Sequence, residues 1–188
     1  DSLGQLGQNR KINFLAPTRV PGLARITHVS LQRHALAVDA FKQVWSWGDN
    51  SCGGQLGPRE AANTSRPSRV IGANGVIKVA AGRCFSLALK ADGTVVGWGL
   101  VPGHGGVTNL RQIPGLSGIV EISAGTAHAL ARRNDGAVFA LGDNAAGQLG
   151  QGTVATVSGV VQVPGVAGAT TIAAGDSSSM VLLGINRI

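Results

Sequence analysis

Charged and aromatic residues are scarce in this 188-residue chain. Asp, Glu, Lys and Arg together make up 13% of it, and the aromatic 4% includes no Tyr. Apolar residues reach 44%, which is the wrong balance for a disordered segment, since such segments combine low hydrophobicity with high charge. No run approaches the roughly 18 consecutive apolar residues that a membrane-spanning helix needs. The composition therefore predicts a folded protein with a sizeable core and no membrane partner.

Cysteine is limited to Cys52 and Cys84, too few for a disulfide framework. Neither belongs to a CxxC pair or to a Cys/His array, so we expect two free thiols and no metal site. The chain begins Asp1-Ser2-Leu3-Gly4, without a starting Met or a basic stretch followed by an apolar one. We therefore expect no signal peptide, and we expect that processing or truncation removed the true start. These features leave the cellular compartment open.

The charge is unbalanced but dispersed. The formal net charge is +7, from 16 Lys and Arg against 9 Asp and Glu. Such an excess is found in proteins that bind nucleic acids, acidic protein surfaces or anionic membranes, so its distribution along the chain decides more than its total. Only Arg10-Lys11 and Arg132-Arg133 are adjacent, and the few aromatic residues are not interleaved with the basic ones. The sequence therefore argues against a dedicated binder of single-stranded nucleic acid, which needs aromatic platforms for base stacking.

Glycine, by contrast, is abundant, and many of its 29 copies follow an internal repeat. Gly-Gln-Leu-Gly occurs three times, at intervals of 50 and 93 residues, which indicates that one copy has been lost. Three further markers keep the same register: a Val or Ile two residues before a Gly, a small residue before a turn glycine, and a bulky residue followed by Gly. The positions are Gly4–Gly7, Gly54–Gly57 and Gly147–Gly150; Val20, Val70, Ile113 and Val163; Gly82, Gly125 and Gly175, with Ser30-Leu31 in the place of Ala81-Gly82; and Trp47-Gly48, Trp98-Gly99 and Leu141-Gly142.

Between these markers, apolar residues alternate with a period of two in short segments, which is typical of β-strands. Each unit holds about four such segments; in the second unit they are Arg69-Val70, Val76–Ala80, Phe85–Leu89 and Val95–Trp98. Asp-Gly at 92–93 and 135–136 predicts tight hairpins. A repeated antiparallel unit of four short strands is a propeller blade, in which radial repetition protects the strand edges. The sequence therefore predicts an all-β fold of β-propeller blades.

Two longer segments carry a family resemblance. Residues 44–51, Val-Trp-Ser-Trp-Gly-Asp-Asn-Ser, and Gly-Gln-Leu-Gly at 54–57 resemble the repeat of the regulator of chromosome condensation family, and so do residues 124–131 and 139–150. The resemblance covers nearly the whole chain and implies a seven-bladed propeller. Departures from the pattern concern local turns: Leu31 replaces a turn glycine, Phe85 and Ser178 stand where His34 and His128 stand, and 100–107 has lost the Gly-Gln-Leu-Gly loop.

The repeat count falls short of the implied ring. Cutting after each bulky residue–Gly marker gives units 1–48, 49–99 and 100–142 and an incomplete unit 143–188. We interpret residues 1–188 as a single partial propeller of about four blades. Open strand edges at both ends would invite pairing. We expect a fragment of a longer ring, and self-association through the open blade edges is the alternative.

Several repeat residues are expected to be structural. His34 and His128 share a position with Phe85, so packing or a repeated hydrogen bond to the backbone explains them better than a ligand role. Trp47 and Trp98 alternate with Leu141 and are interpreted as core or inter-blade residues. The structural set comprises Trp47, Gly48, Gly82, Trp98, Gly99, Gly125, His128, Gly142 and Gly175.

Repeat proteins carry function on loops, and antiparallel order predicts which loops share a face. The turns after Ala-Gly and the connections carrying Gly-Gln-Leu-Gly should lie on one face, and the Asp-Gly hairpins on the other. The first face has the longer loops, so we expect partner contacts there. The candidate residues are Arg10, Lys11, Arg59, Glu60, Arg66, His104 and Arg111.

Motifs of catalysis are missing from the sequence. There is no Gly-x-Ser-x-Gly elbow, no metal-spaced cluster and no phosphate loop, so we expect no enzyme activity and no cofactor. The leading hypothesis is a module that mediates protein–protein interaction through loops on one face. One alternative, implied by the resemblance, is a guanine-nucleotide exchange factor for a small GTPase that also binds chromatin. The other is a proteinaceous enzyme inhibitor, since similar propellers include bacterial inhibitors of β-lactamase.

Overall fold

The computed structural model describes residues 1–155 and 157–184, apart from the side chains of Val107 and Thr108. Every regular element in these ranges is a β-strand, and no helix there is long and apolar enough to span a bilayer. The strands are β1 (Ile26–Leu31), β2 (His34–Asp39), β3 (Gln43–Gly48), β4 (Thr64–Asn74), β5 (Val76–Ala81), β6 (Phe85–Lys90), β7 (Val95–Leu100), β8 (Gly106–Gln112), β9 (Ile119–Ala124), β10 (His128–Arg133), β11 (Val138–Gly142), β12 (Val160–Gln162), β13 (Ala169–Ala174) and β14 (Ser179–Leu183).

The strands form three four-stranded antiparallel sheets and one two-stranded sheet. We call them blade 1 (β1–β4), blade 2 (β5–β8), blade 3 (β9–β12) and blade 4 (β13–β14). The turns that follow β5, β9 and β13 touch one another, because Arg83 N donates to Thr126 O at 3.1 Å and Thr126 N to Asp176 O at 3.2 Å. The first strands of neighbouring blades therefore converge, as they do around a propeller axis. The predicted all-β architecture of propeller blades is confirmed.

The sheets are out of phase with the sequence units by one strand. Arg69 lies in β4 and pairs with Trp45 of β3, although the unit boundaries place Arg69 in unit 49–99. Each four-stranded blade thus takes its outer strand from the following sequence repeat. The unit boundaries remain a sequence-based prediction, and Thr156 and residues 185–188 of the last unit lie outside the described residues.

The turn of blade 1 is one residue shorter than the corresponding turn of blade 2. Leu31 lies opposite Ala35, and Ala81 lies opposite Ser86, so Ser30-Leu31 corresponds to Ala80-Ala81. The assignment of Ser30-Leu31 to the place of Ala81-Gly82 was therefore wrong by one residue. The position of the turn glycine is simply missing from blade 1.

The core lies between blades. Leu36, Val38 and Val44 of blade 1 share one buried cluster with Val79 and Trp98 of blade 2. Similar clusters fill the junctions between blades 2 and 3 and between blades 3 and 4. Fully burying one such side chain contributes about 1.5–3 kcal/mol, so each blade is stabilised mainly by its neighbours.

Candidate functional site

One face of the molecule gathers the connections between strands. Because strand direction alternates, the turns before β2, β6, β10 and β14 lie on the same face as the β3–β4, β7–β8 and β11–β12 connections. We call it the loop face, and the opposite side the hairpin face. Backbone hydrogen bonds join each connection to a turn: Asp49 N donates to Arg33 O (3.3 Å), Leu100 N to Cys84 O (2.8 Å) and Asp143 N to Ala127 O (2.9 Å).

A disulfide crosses the loop face from blade 1 to blade 2. Cys52 of the β3–β4 connection is bonded to Cys84 of the turn before β6, with Cα atoms 5.5 Å apart. The expectation of two free thiols was therefore wrong. The reason is tertiary: the long connection of blade 1 extends over the turn of blade 2, which brings together residues separated by 32 positions in sequence.

Arg10, Lys11 and Arg66 lie in two adjacent segments. Asn9 N donates to Ser65 O at 2.9 Å, which ties the N-terminal segment to the start of β4. All three basic residues are exposed. A backbone hydrogen bond thus holds three positive charges on neighbouring stretches of chain.

Arg59 and Glu60 line a cavity of about 370 Å³ in the β3–β4 connection. Asn50 shapes this connection, because its Nδ2 donates to Glu60 O at 2.6 Å and its Oδ1 accepts from Leu56 N at 3.2 Å. Asn144 makes equivalent bonds in blade 3. A repeated Asn therefore shapes the long loops of blades 1 and 3, and the loop of blade 1 carries these two candidates.

His104 and Arg111 line a different cavity, of about 180 Å³, beside Val101 and Ile113. Arg111 lies on β8 opposite Gly97, and His104 Nε2 is buried with no hydrogen-bond partner in the described part of the chain. The seven candidates thus divide into a group of five on blade 1 and its N-terminal segment and a pair on blade 2. Residues 1–155 and 157–184 contain no group of three or more His, Cys, Asp or Glu that could hold a metal ion.

The two tryptophans of the structural set bind the Gly-Gln-Leu-Gly loop that precedes them in the chain, which for Trp98 is the loop of the preceding blade. Trp47 Nε1 donates to Gln5 O at 2.8 Å, and Trp98 Nε1 donates to Gln55 O at 2.9 Å. The loop of blade 1 is therefore held both by the next blade and by its own, in which Ser46 Oγ donates to Leu56 O at 2.6 Å.

The glycine after each bulky residue lies close to two other segments. One is the turn before the second strand of its own blade, and the other is the long connection that precedes that blade. A Cβ atom on Gly99 would lie 2.5 Å from Cys84 O, and one on Gly142 would lie 2.5 Å from Ala127 O. Gly48, Gly99 and Gly142 all have positive φ, a region that other residues rarely adopt.

Gly82, Gly125 and Gly175 make room for a side chain three residues later. A Cβ atom on Gly82 would overlap the ring of Phe85, and one on Gly125 would overlap the ring of His128. These positions therefore need glycine for space, since their φ angles are ordinary.

A hydrogen-bonded relay crosses the junction between blades 1 and 2. His34 Nε2 lies 2.7 Å from Ser86 Oγ, and Ser86 Oγ donates to Gln55 O at 2.8 Å. Because the single hydroxyl proton of Ser86 goes to the carbonyl, His34 must donate from Nε2. His34 Nδ1 is then a bare acceptor, buried without a partner among the described residues.

The junction between blades 3 and 4 repeats this relay. His128 Nε2 lies 3.0 Å from Ser179 Oγ, and Ser179 Oγ donates to Gln148 O at 2.7 Å. Each histidine thus bonds to a serine side chain of the next blade, and that serine donates to a backbone carbonyl.

Burial keeps both relay histidines neutral. It lowers the pKa of His34 to about 4, against an opposing effect of the Asp49 charge. Burial also lowers the pKa of His128. A neutral ring has one N–H, which is the number that each relay uses.

The junction between blades 2 and 3 replaces the relay with apolar side chains. Phe85 stands at the histidine position, Ala129 at the serine position and Leu141 at the tryptophan position, and all three lie in one buried cluster. Pro102 lies close to Gly142, whereas at the corresponding position of blade 2 it is Gln55 that lies close to Gly99. No polar side chain of the relay type is therefore left unpaired at this junction.

Sequence reasoning grouped His34, His128 and Phe85 at one position but missed the serines and the glutamine carbonyl. The signal was covariation within the chain. A histidine is followed 51 or 52 residues later by its serine partner, whereas Phe85 is followed in the next repeat by Ala129.

The comparison with protein families identifies the repeat. One family model described as "Regulator of chromosome condensation (RCC1) repeat" matches residues 43–89 and 135–182, and a second with the same description matches 76–105 and 119–148. Among curated proteins, the chain is 41% identical over 106 residues to human "Probable E3 ubiquitin-protein ligase HERC6", which covers 52% of this chain and 10% of the relative. It is 42% identical over 90 residues to mouse alsin, covering 46% of this chain and 5% of the relative. The chain thus spans a tenth or less of these two relatives.

Solved structures share the fold over almost the whole chain. Human WBSCR16 superposes with a TM-score of 0.87 at 22% identity, covering 97% of this chain and 51% of that one. Prp20p from Saccharomyces cerevisiae superposes with a TM-score of 0.81 at 26% identity, covering 97% and 49%. Prp20p has binding properties to Gsp1p and histones. The chain spans about half the length of these two propellers.

Proposed function

Because the chain belongs to the regulator of chromosome condensation (RCC1) repeat family, we propose that it is a non-enzymatic propeller module that binds a protein partner through the loop face. The observation that carries this proposal is the fixed clustering of candidate residues on blade 1. The Asn9–Ser65 hydrogen bond and the Cys52–Cys84 disulfide hold the segments concerned on a rigid scaffold. Preorganised loops lose less conformational entropy on binding.

Charge on the loop face supports an acidic partner. In the N-terminal segment and on the loop face around blades 1 and 2, the exposed basic residues include Arg10, Lys11, Arg33, Arg59, Arg66 and Arg83, against the acidic Glu60 and Asp49, the latter 3.7 Å from Arg33. Around blades 3 and 4, the connections and turns carry Asp143 and Asp176. A partner surface with negative charge opposite blade 1 would be attracted by long-range forces and oriented by this asymmetry.

Affinity capture with charge-reversal variants tests the proposal. Proteins retained by the wild type should be lost with Arg59→Glu/Arg66→Glu, because the double reversal changes the loop-face charge by four units. A matched control is Arg25→Glu/Lys90→Glu, which makes the same charge change away from the loop face. If both double variants retain the same proteins as the wild type, the partner does not bind at this group of residues.

A second candidate is nucleotide exchange on a small GTPase together with chromatin binding. It is supported by the similarity to Prp20p, a protein with binding properties to Gsp1p and histones, and by the basic loop face. The test measures release of fluorescent GDP from Gsp1p, and retention of purified histones, with the full chain added. Release at the rate of Gsp1p alone would overturn the exchange activity, and failure to retain histones would overturn the chromatin role.

A further inference from the structure

The β3–β4 and β11–β12 connections contain the same two motifs at different spacing. Each runs from Asp-Asn to Gly-Gln-Leu-Gly, and the stretch 49–57 holds one residue more than the stretch 143–150. Gly53 N donates to Asn50 O at 2.9 Å, as the corresponding glycine of the shorter connection does to its own asparagine at 3.0 Å. The first turn is therefore the same in both, and the extra residue, Gly54, lies directly before the glutamine.

In the shorter connection, both polar atoms of the glutamine side chain are paired. Gln148 Nε2 donates to Asp143 Oδ2 at 2.9 Å, and Gln148 Oε1 accepts from Ala146 N at 2.8 Å. The side chain of Gln148 is buried. The connection of blade 3 thus satisfies a buried amide within its own residues.

In the longer connection, the equivalent glutamine lacks these partners. Gln55 is completely buried, and neither its Oε1 nor its Nε2 has a hydrogen-bond partner among the residues that the structure describes. Asp49 Oδ2 is also buried without a hydrogen bond to them, and Arg33 Nη1 lies 3.7 Å from it. Asp49 Oδ1 still accepts from Ser51 N at 2.8 Å, as its counterpart in blade 3 accepts from the residue two positions later. The aspartate therefore keeps its place while the glutamine does not, and the unpaired buried groups destabilise this form.

The disulfide is the covalent restraint that distinguishes the longer connection. Cys52 lies between Asp49 and Gln55 in the chain, and its bond to Cys84 ties this stretch to the turn before β6. The shorter connection has two alanines before its Gly-Gln-Leu-Gly, and Ser177 stands at the position of Cys84 in the turn before β14, so no cross-link forms there. The cross-linked connection thus lacks the hydrogen bond that the connection without a cross-link makes.

We propose that the Cys52–Cys84 bond is a redox switch of the loop face. When a dithiol opens the bond, the connection moves toward the form seen in blade 3, and Gln55 Nε2 donates to Asp49 Oδ2. The extra glycine before Gln55 allows both forms, because glycine tolerates both signs of φ.

The opening step is thiol–disulfide exchange. Both cysteines are partly exposed, so a small thiol can reach them. A thiolate of the dithiol attacks one protein sulfur, the S–S bond of the protein breaks, and a mixed disulfide forms. The second thiol of the reductant then attacks its own sulfur in the mixed disulfide and releases the protein. The protein gains two electrons and two protons as two thiols, and the dithiol is oxidised to its own disulfide.

The switch acts on the surface to which the proposed function assigns binding, and this part of the inference rests on that function. Asn50 Nδ2 donates to Glu60 O at 2.6 Å, so the stretch held by the disulfide is directly connected to Arg59 and Glu60. Without the cross-link, this connection must be ordered when a partner binds, which costs conformational entropy. We therefore expect the oxidised protein to bind its partner more tightly than the reduced protein.

The melting temperature of Gln55→Met in the full chain, with and without dithiothreitol, tests the rearrangement. In the oxidised protein the variant should melt at the same temperature as the wild type or higher, because it removes two unpaired polar atoms. In the reduced protein it should melt about 3–6 °C lower than the wild type, because it removes the new bond and leaves Asp49 Oδ2 unpaired. Gln55→Leu repeats the comparison if Gln55→Met does not fold.

The matched control is Gln148→Met, because Gln148 makes its hydrogen bonds without a disulfide nearby. It should lower the melting temperature by the same amount in both redox states. If Gln55→Met also shifts the melting temperature equally with and without dithiothreitol, the disulfide does not control Gln55, and the switch is overturned.

Affinity capture tests the effect on binding. In buffer without reductant, Cys52→Ser/Cys84→Ser should retain about tenfold less of the proteins that the wild type retains through the loop face. Equal retention would overturn the regulation of binding. If the wild type retains no protein that Arg59→Glu/Arg66→Glu loses, the proposed function fails and the regulation of binding fails with it, whereas the comparison at Gln55 decides the rearrangement by itself.

Discussion

The junction between blades 1 and 2 and the junction between blades 2 and 3 perform the same packing task with different chemistry. The first contains a relay of His34, Ser86 and the Gln55 carbonyl, to which Trp98 also donates. The second places Phe85, Ala129 and Leu141 in the corresponding positions, all within one buried cluster.

The difference shows that relay members are replaced together. A buried polar group without its partner costs about 1–3 kcal/mol, whereas replacing all partners by apolar groups can be nearly neutral. Blade 2 lacks the Gly-Gln-Leu-Gly loop and with it the glutamine carbonyl that accepts hydrogen bonds in the relay. A serine, histidine or tryptophan at the junction between blades 2 and 3 would therefore lack that acceptor. The apolar set Phe85, Ala129 and Leu141 is the consistent alternative.

Introducing one relay member into the apolar junction should have the largest effect. Phe85→His loses phenyl burial and leaves an imidazole N–H opposite Ala129, which has no hydroxyl group. We expect the free energy of unfolding at pH 7 to fall by about 4 kcal/mol in urea titrations. Phe85→Leu is the control and should cost about 1 kcal/mol. Equal losses for the two variants would mean that polarity does not distinguish the junctions.

Removing the disulfide compares the two polar junctions, because only that between blades 1 and 2 has a cross-link within the described residues. Cys52→Ser/Cys84→Ser should lower the free energy of unfolding by about 3 kcal/mol, since the unfolded chain regains loop entropy. Reduction of the wild type should produce a similar loss, measured by thermal unfolding with and without reductant. An unchanged melting temperature in both experiments would contradict a stabilising cross-link.

Acid should weaken the polar junctions selectively. Burial depresses the pKa of His34 from 6.5 to about 4, so the unfolded state binds the proton more readily. The part of the free energy of unfolding that depends on neutral His34 is fully present above pH 6.5. It falls by about 2–3 kcal/mol as the pH drops toward 4. Urea titrations at pH 7, 5.5 and 4 measure this loss. The variant His34→Phe/Ser86→Ala should lose less stability between pH 7 and pH 4, because it has no His34 to protonate. If its free energy of unfolding depends on pH as steeply as that of the wild type, other groups cause the acid sensitivity.

Breaking the relay at its centre should have a smaller effect, part of which can be recovered. Ser86→Ala leaves the His34 N–H unpaired and should cost about 2 kcal/mol. Adding His34→Phe reproduces the pair found at Phe85 and Ala129, and it should recover about 1 kcal/mol. The double-mutant cycle measures the coupling, and additive losses would contradict a relay.

Much of the fold could be predicted from local patterns. Alternating apolar residues located the strands, and Asp-Gly at 92–93 and 135–136 marked hairpins between β6 and β7 and between β10 and β11. The blade boundary could not be read this way, because β4 pairs with β3 of the preceding unit through contacts across a long loop. The sequence placed the candidate residues on loops, whereas Arg66 and Arg111 lie on β4 and β8. Their division into a blade 1 group and the pair His104 and Arg111 depended on which segments are neighbours.

The sequence by itself determined the repeat, the strand content and the sharing of one face by the long loops, because these follow from short-range alternation and chain direction. Only the tertiary structure decided that Cys52 meets Cys84 and that His34 meets Ser86, 52 residues away. Contacts between blades join residues about one repeat apart, and they depend on how neighbouring sheets stack, which no local pattern specifies.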